Sequence, residues 1–215
     1  MNTRYNQHII QQTEEFVQSI FADDSSGHDW WHIHRVRNLA LELAKRENAN
    51  AFVVEMAALL HDVDDWKLNQ NGNKVKSWLN NLTISDKERS HILSITENIS
   101  FKGAGVPTPM ESIEGKVVQD ADRLDAIGAI GIARTFAYGG SRNRLIYHPD
   151  FSPEMHHSFE SYQQNQSHTI NHFYEKLLLL KDRMQTQSGY VIAVHRHQIM
   201  ETFLEEFFKE WDGIR

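Results

Sequence analysis

Apolar residues recur three and four positions apart along most of this chain. Between His8 and Phe21 they fall at Ile9, Ile10, Phe16, Val17, Ile20 and Phe21, the spacing of an amphipathic helix. The stretch ADDSSGHD stops it. A second helix is predicted from Asp29 or Trp30 to Glu47, with Ile33, Val36, Ala40 and Leu43 on one face and Arg35, Arg37, Glu42, Lys45 and Arg46 mostly elsewhere. Asp29 has the short acceptor side chain of an N-cap. Residues 51–61, AFVVEMAALLH, are apolar almost all round, which places this helix in the centre of the protein. It ends in charge, at HDVDDW. Two shorter helices are predicted over 73–81, with Val75, Trp78 and Leu79, and over 86–98, with Ile92, Leu93 and Ile95.

FKGAGVPTPMES is a loop. From Ser112 to about Tyr138 the chain, including VVQDADRLDAIGAIGIARTFAY, reads as one buried helix. Gly128 and Gly131 inside it each cost about 1 kcal/mol against alanine, and small residues there suit a close helix crossing. GGSRNRLIYHPDFSP is the longest loop and a candidate lid. Two more helices, over about 157–186 and 189–211, close the chain as packing partners, with Phe173, Leu177, Leu180 and Met184 at heptad-like spacing. No stretch alternates with period two, so the expected fold is all-α with eight or nine helices. No internal repeat divides it. Residues 1–215 are expected to form one helical domain, its carboxyl-terminal helices folded back on the rest.

Composition narrows the function classes. Hydrophobic residues make up 40% and charged residues 24%, as in an ordinary globular protein. A formal net charge of -7 argues against a general binder of nucleic-acid polymers, which would carry a basic face. The chain has no cysteine, which excludes disulfides and thiolate-held metals and fits a reducing compartment. A metal would therefore rest on histidine and carboxylate. MNTRYNQHII has no long apolar run and no window approaches 18 apolar residues, so neither a signal peptide nor a membrane span is expected. The expected location is cytoplasmic.

Candidate chemistry gathers at four places: His34 in HDWWHIHRV, the doublet His61-Asp62 in AALLHDVDDW, Asp122 in QDADRLDA, and the basic residues further on. An aspartate ending so apolar a helix needs a partner if it is buried. A metal is one such partner; capping of the next segment is the plainer alternative. His34, one of thirteen histidines, equally suits a satisfied surface or core position. Imidazole and carboxylate together suit Mn, Fe, Co, Ni or Zn, whereas an all-oxygen set would point to Mg or Ca.

Together, GHDWWHIHRV, LLHDVDDWK, NISFKG and QDADRLDAIGAIGIAR resemble the HD superfamily of metal-dependent phosphohydrolases. Their wording is similar to the small bacterial HD hydrolases that include nucleotide pyrophosphohydrolases. The resemblance covers residues 25 to about 150 and implies an all-helical HD-domain bundle. The family's H...HD...D pattern makes His34 the first metal ligand, His61 and Asp62 the central pair, and Asp122 the last. Asp120 is the rival of Asp122, which is preferred because it directly precedes Arg-Leu. Asp125, one turn further on, suits orienting a ligand or a water, and equally a salt bridge to an arginine.

Ile99 stands where HD proteins with further metals carry another histidine, so the resemblance implies one tightly held ion. His91 and His148 leave that count open. The ion polarises a phosphoryl oxygen and lowers the pKa of a bound water. Related enzymes imply Asp65 as the base or water-orienting group, with Asp64 behind it; a solvated acidic turn is the alternative for both. A phosphate substrate needs positive charge, for which Lys67, Lys102, Arg123, Arg142, Arg144, His28 and His148 are candidates. Lys67 and Arg123 adjoin ligand positions, and the arginine pair suits a polyphosphate tail. Trp30, Trp31, Phe101 and Tyr147 are available to stack on a base or to fill the core. GGS and KGAG match no phosphate-binding glycine motif.

The leading expectation is hydrolysis of nucleoside triphosphates to monophosphate and pyrophosphate. One divalent ion assists, Mn favoured over Fe, Co, Ni, Zn or Mg. Phosphomonoesterase or phosphodiesterase action on nucleotides is the alternative chemistry, and a non-catalytic signalling or scaffold module is the alternative of another class. The partner is a small-molecule nucleotide. The last helix suits either a homodimer contact or packing on its own core.

Overall fold

The computed structural model describes residues 3–22, 29–64, 73–155, 160 and 167–214. Among them are nine α-helices and no strand. They are α1 (Thr3–Phe21), α2 (Trp30–Glu47), α3 (Ala51–Leu60), α4 (Lys74–Asn81), α5 (Asp86–Asn98), α6 (Ile113–Asp125), α7 (Gly128–Ser141), α8 (Asn171–Glu175) and α9 (Gln187–Trp211). Two 3₁₀ turns, Leu177–Leu179 and Lys181–Arg183, lie between α8 and α9. The helices form two compact units, Met1–Phe101 with Thr108–Ala121, and Lys102–Pro107 with Asp122–Arg215. None of the described helices is long and apolar enough to cross a membrane.

In the first unit α3 is the central rod, as its all-round apolar sequence predicts. Phe52, Val53, Val54, Met56, Ala57, Ala58, Leu59 and Leu60 are buried, and α1, α2 and α5 pack around it. The helix starts are fixed by local acceptors. Asn50 accepts from Phe52 N and Val53 N, while Ser85 and Glu88 cap the start of α5 reciprocally. Arg37 of α2 joins Glu14 of α1 at 2.9 Å to Glu55 of α3 at 2.6 Å. Trp78 of α4 stacks on Phe16 at 4.1 Å and donates from Nε1 to Thr13 Oγ1.

The single helix expected over 112–138 is two helices. Ile127 is extended, with φ -125° and ψ 166°, and Gly128 has φ +75°, so the axis breaks between α6 and α7. Gly128, a cost inside a continuous helix, supplies the left-handed backbone that the break requires. The expected close crossing exists nevertheless, because a Cβ at Gly128 would stand 3.0 Å from Arg196 Cβ on α9. Helix α7 also takes up both glycines of the expected GGS loop. The following residues are fastened by backbone bonds from Thr169 N to Leu145 O and from Ile170 N to Ile146 O.

The helix expected over 157–186 is likewise corrected. Residues 156–159 and 161–166 lie outside the described residues, and beyond them the chain makes only α8 and the two 3₁₀ turns. Lys176, at φ -142° and ψ -59°, ends α8. Phe173, Leu177 and Leu180 are all buried, and the three-residue step from Leu177 to Leu180 is satisfied by 3₁₀ geometry as well as by an α-helix. The apolar spacing therefore identified the core residues without identifying the helix type.

Candidate metal centre

Three helix ends carry the site. Asp29 caps α2 by accepting from His32 N at 2.9 Å, which sets His32 in the first turn with its side chain inward; the residue is 1% exposed. His61 and Asp62 follow the last turn of α3 and are buried. The His61 Nδ1 lies 2.8 Å from Ala58 O. A carbonyl only accepts, so Nδ1 is the donor of this pair and Nε2 is the ring nitrogen turned toward the cluster.

That Nε2 is 3.2 Å from His32 Nε2. The Asp62 carboxylate stands 3.3 Å from His32 Nε2 and 3.5 Å from His61 Nε2. Asp122, half-buried near the end of α6, brings a carboxylate oxygen into the same cluster; ligand atoms of His32, His61 and Asp122 lie within 4.8 Å of one another. Asp122 directly follows Ala121, the last first-unit residue of α6, and the helix itself carries it. Donors about 2.1 Å from a common transition-metal ion stand about 3.0 to 3.4 Å apart at right and tetrahedral angles. The separation of the two imidazole nitrogens, 3.2 Å, matches those edges, and Asp62 turns one carboxylate oxygen toward each ring, Oδ2 to His32 and Oδ1 to His61. The donor set fits a divalent transition metal.

The structure thus brings together three of the four expected ligands, and His32 rather than His34 completes the group. His34 is half-exposed, with its Nε2 3.0 Å from Asn38 Nδ2 and its ring between those of Trp30 and Trp31 at 5.9 and 5.7 Å. Between the two aspartates, Asp122 joins the cluster while Asp120 is fully buried. Asp125 makes the salt bridge that was its alternative reading, to Arg134 at 2.7 Å.

His28, Asp65 and Lys67 lie outside the described residues. Asp64 accepts from the backbone N–H groups of Lys74 and Val75, both at 3.0 Å, and so caps the start of α4. Replacing Asp64 by alanine is expected to lower unfolding free energy by about 1 kcal/mol, read from urea melts at unchanged slope; a midpoint equal to wild type would remove that role. Lys102 is half-buried. Arg123 is buried and donates to Arg183 O. Arg142 and Arg144 lie over the Tyr138 ring at 5.5 and 5.7 Å. Ile99 belongs to the core, His91 Nε2 lies 2.8 Å from Ser112 Oγ, and His148 adjoins Asp150. Sequence reasoning missed Arg134, Arg183 and Arg196 as well as His32.

A buried imidazole-carboxylate cluster on helix ends is a donor set for a transition metal, and comparison with known proteins gives it a family. Residues 30–127 match the family model of the HD domain. YpgQ of Bacillus subtilis is 38% identical over 210 residues, covering 95% of this chain and 94% of that protein. The crystal structure of YpgQ in complex with ADP superposes with a TM-score of 0.75, covering 96% of this chain and 100% of that one. An HD-superfamily hydrolase from Bacillus thuringiensis is 46% identical with a TM-score of 0.76, covering 96% and 98% of the two chains. A crystal structure from Lactobacillus plantarum reaches a TM-score of 0.89 at 38% identity, covering 99% and 100%. The chain belongs to the HD superfamily and is a metal-dependent phosphohydrolase of that general kind.

Proposed function

We propose that the chain hydrolyses nucleoside triphosphates to nucleoside monophosphate and pyrophosphate, with Mn as the favoured ion. The observation that carries this reading is the clustering of His32, His61 and Asp122, with the Asp62 carboxylate beside both imidazoles. YpgQ, crystallised with ADP, supports a nucleotide as substrate.

In this reading His32 and His61 through Nε2, with Asp62 and Asp122, hold the ion. When bound, the ion supplies Lewis acidity to a phosphoryl oxygen and lowers the pKa of a water. The Ala58 carbonyl, accepting from Nδ1, orients the His61 ring so that Nε2 would be the ligating atom. Lys102 supplies positive charge to the phosphate chain; Arg183, donating to Gly103 O and Ala104 O, holds the backbone beside it. Asp65 accepts the water's proton. Arg142 and Arg144, side by side over Tyr138, suit the far end of a triphosphate.

The test is product analysis with metal-stripped protein resupplied with Mn, given nucleoside tri-, di- and monophosphates and cyclic nucleotides. Pyrophosphate and monophosphate in equal amounts, absent with His61→Ala, are the expected result. Inorganic phosphate released from monophosphates, or ring-opened cyclic nucleotides without triphosphate turnover, would replace this reading with an esterase.

A further inference from the structure

Every one of the three residues after Asp122 is fastened to a different part of the second unit. The Arg123 guanidinium donates to Arg183 O. Leu124 O accepts from Arg196 Nη1 of α9 at 2.5 Å. Asp125 accepts from Arg134 Nη1 of α7 twice, at its carboxylate at 2.7 Å and its backbone oxygen at 3.4 Å. These are the last residues of α6, where helix carbonyls have no further turn to accept from and the helix dipole is negative. Guanidinium groups satisfy both needs at once.

The QDADRLDAIGAIGIAR segment is built around this junction. Gly128, at φ +75°, leaves room for the Arg196 stem, which a Cβ would approach to 3.0 Å. Gly131 lets α7 start against the Ala126 carbonyl, which a Cβ would approach to 2.2 Å. Burial lowers the Arg196 pKa and the nearby Asp125 charge opposes that shift, while the guanidinium itself is bonded to Leu124 O. Nothing in the hydrolytic scheme above uses Arg134 or Arg196.

We propose that Arg196 and Arg134 are positioning residues for the metal ligand Asp122, acting through Leu124 O and Asp125 to fix the end of α6. The proposal rests on the assignment of Asp122 to the metal centre. Asp122 sits two residues before Leu124, the first position of the clamp, so a shift of the α6 end moves its carboxylate. The clamp is therefore expected to set metal affinity and coordination geometry rather than substrate chemistry. Partners that orient a ligand from behind typically change metal affinity by about ten- to a hundredfold.

The test uses the full chain, stripped of metal and titrated with Co²⁺, whose visible bands report coordination geometry. Arg196→Met, confirmed as folded by circular dichroism, is expected to bind Co²⁺ about tenfold more weakly with altered visible bands. Arg196→Lys, which keeps a cationic donor, is expected to recover wild-type bands. A folded Arg196→Met with wild-type affinity and spectrum overturns the proposal, as do Lys and Met variants impaired alike. If Arg196→Met does not fold, Asp125→Asn decides. It keeps the side chain's size and an acceptor for Arg134 but loses the charge. Weaker Co²⁺ binding with changed bands supports the clamp, and an unchanged titration overturns it. His61→Ala separates failure of the metal site from failure of the clamp. If it binds Co²⁺ as wild type does, the metal assignment fails and the clamp falls with it; if it loses binding, the metal assignment stands and the Arg196 variants judge the clamp alone.

Discussion

Replacing His32 with alanine is expected to cut turnover about a thousandfold, on the order of 4 kcal/mol in the barrier, while His34→Ala stays within about threefold of wild type. The contrast follows from where the two rings point. His32 Nε2 faces His61 Nε2 at 3.2 Å and the Asp62 carboxylate at 3.3 Å, whereas His34 Nε2 is spent on Asn38 at the helix surface. A second readout does not depend on substrate. An ion that binds only the folded chain raises stability by RT ln(1 + [L]/Kd), about 2.7 kcal/mol at a hundredfold excess over Kd. Thermal melts with and without Mn should show that gain for wild type and His34→Ala, and little of it for His32→Ala. If His34→Ala loses both turnover and the metal-dependent gain while His32→Ala keeps them, the ligand assignment reverses.

The signal that separates these histidines was present in the sequence. His32, Val36, Ala40 and Leu43 follow one another at steps of four, four and three, so His32 extends the buried stripe of α2 by one turn. His34 instead aligns with Asn38 and Glu42, on the polar side. The family resemblance implies the later histidine as first ligand; the helical period puts the earlier one on the buried stripe. The doublet was readable for the opposite reason. A helix as apolar as α3 is buried wherever it sits, and a His-Asp pair at its end is carried into the interior with it.

What remained illegible depends on contacts far apart in sequence. Asp64 reads locally as one of a run of acidic residues, and its capping of α4 appears only once residue 74 is placed beside it. Arg134 and Arg196 look like ordinary helical cations, because the carbonyls they satisfy belong to another helix. The α6–α7 break shows the limit of propensity. A glycine in an apolar run is compatible with a tolerated cost or with a left-handed turn, and the approach of Arg196 is what selects the turn. Near the carboxyl terminus the heptad-like spacing picks out Phe173, Leu177 and Leu180, which are buried, and Met184, which is half-buried, yet such spacing is shared by α and 3₁₀ geometry.

Gly131→Ala is expected to be the most damaging single-methyl addition in the second unit, lowering unfolding free energy by about 3 kcal/mol. A Cβ there would stand 2.2 Å from Ala126 O and 2.4 Å from Ala126 C. Both are backbone atoms, with no flexible side chain to turn aside, so the start of α7 must move away from the end of α6. Ala126 follows directly on the residues that Arg196 and Arg134 hold, and the displacement should therefore also shrink the stability gained on adding Mn. Gly140→Ala is the matched control on the same helix. Nothing lies within 4 Å of its Cβ position, so alanine should stabilise by up to about 1 kcal/mol through helix propensity and lost unfolded-state entropy. Urea melts of the two variants against wild type measure both changes, at equal slope if the unfolded states are alike. Opposite shifts from the same chemical change would place the cost at the contact with Ala126. A Gly131→Ala midpoint at or above wild type would mean that α7 can leave the α6 end freely, and the tight junction behind Asp122 would lose its structural basis.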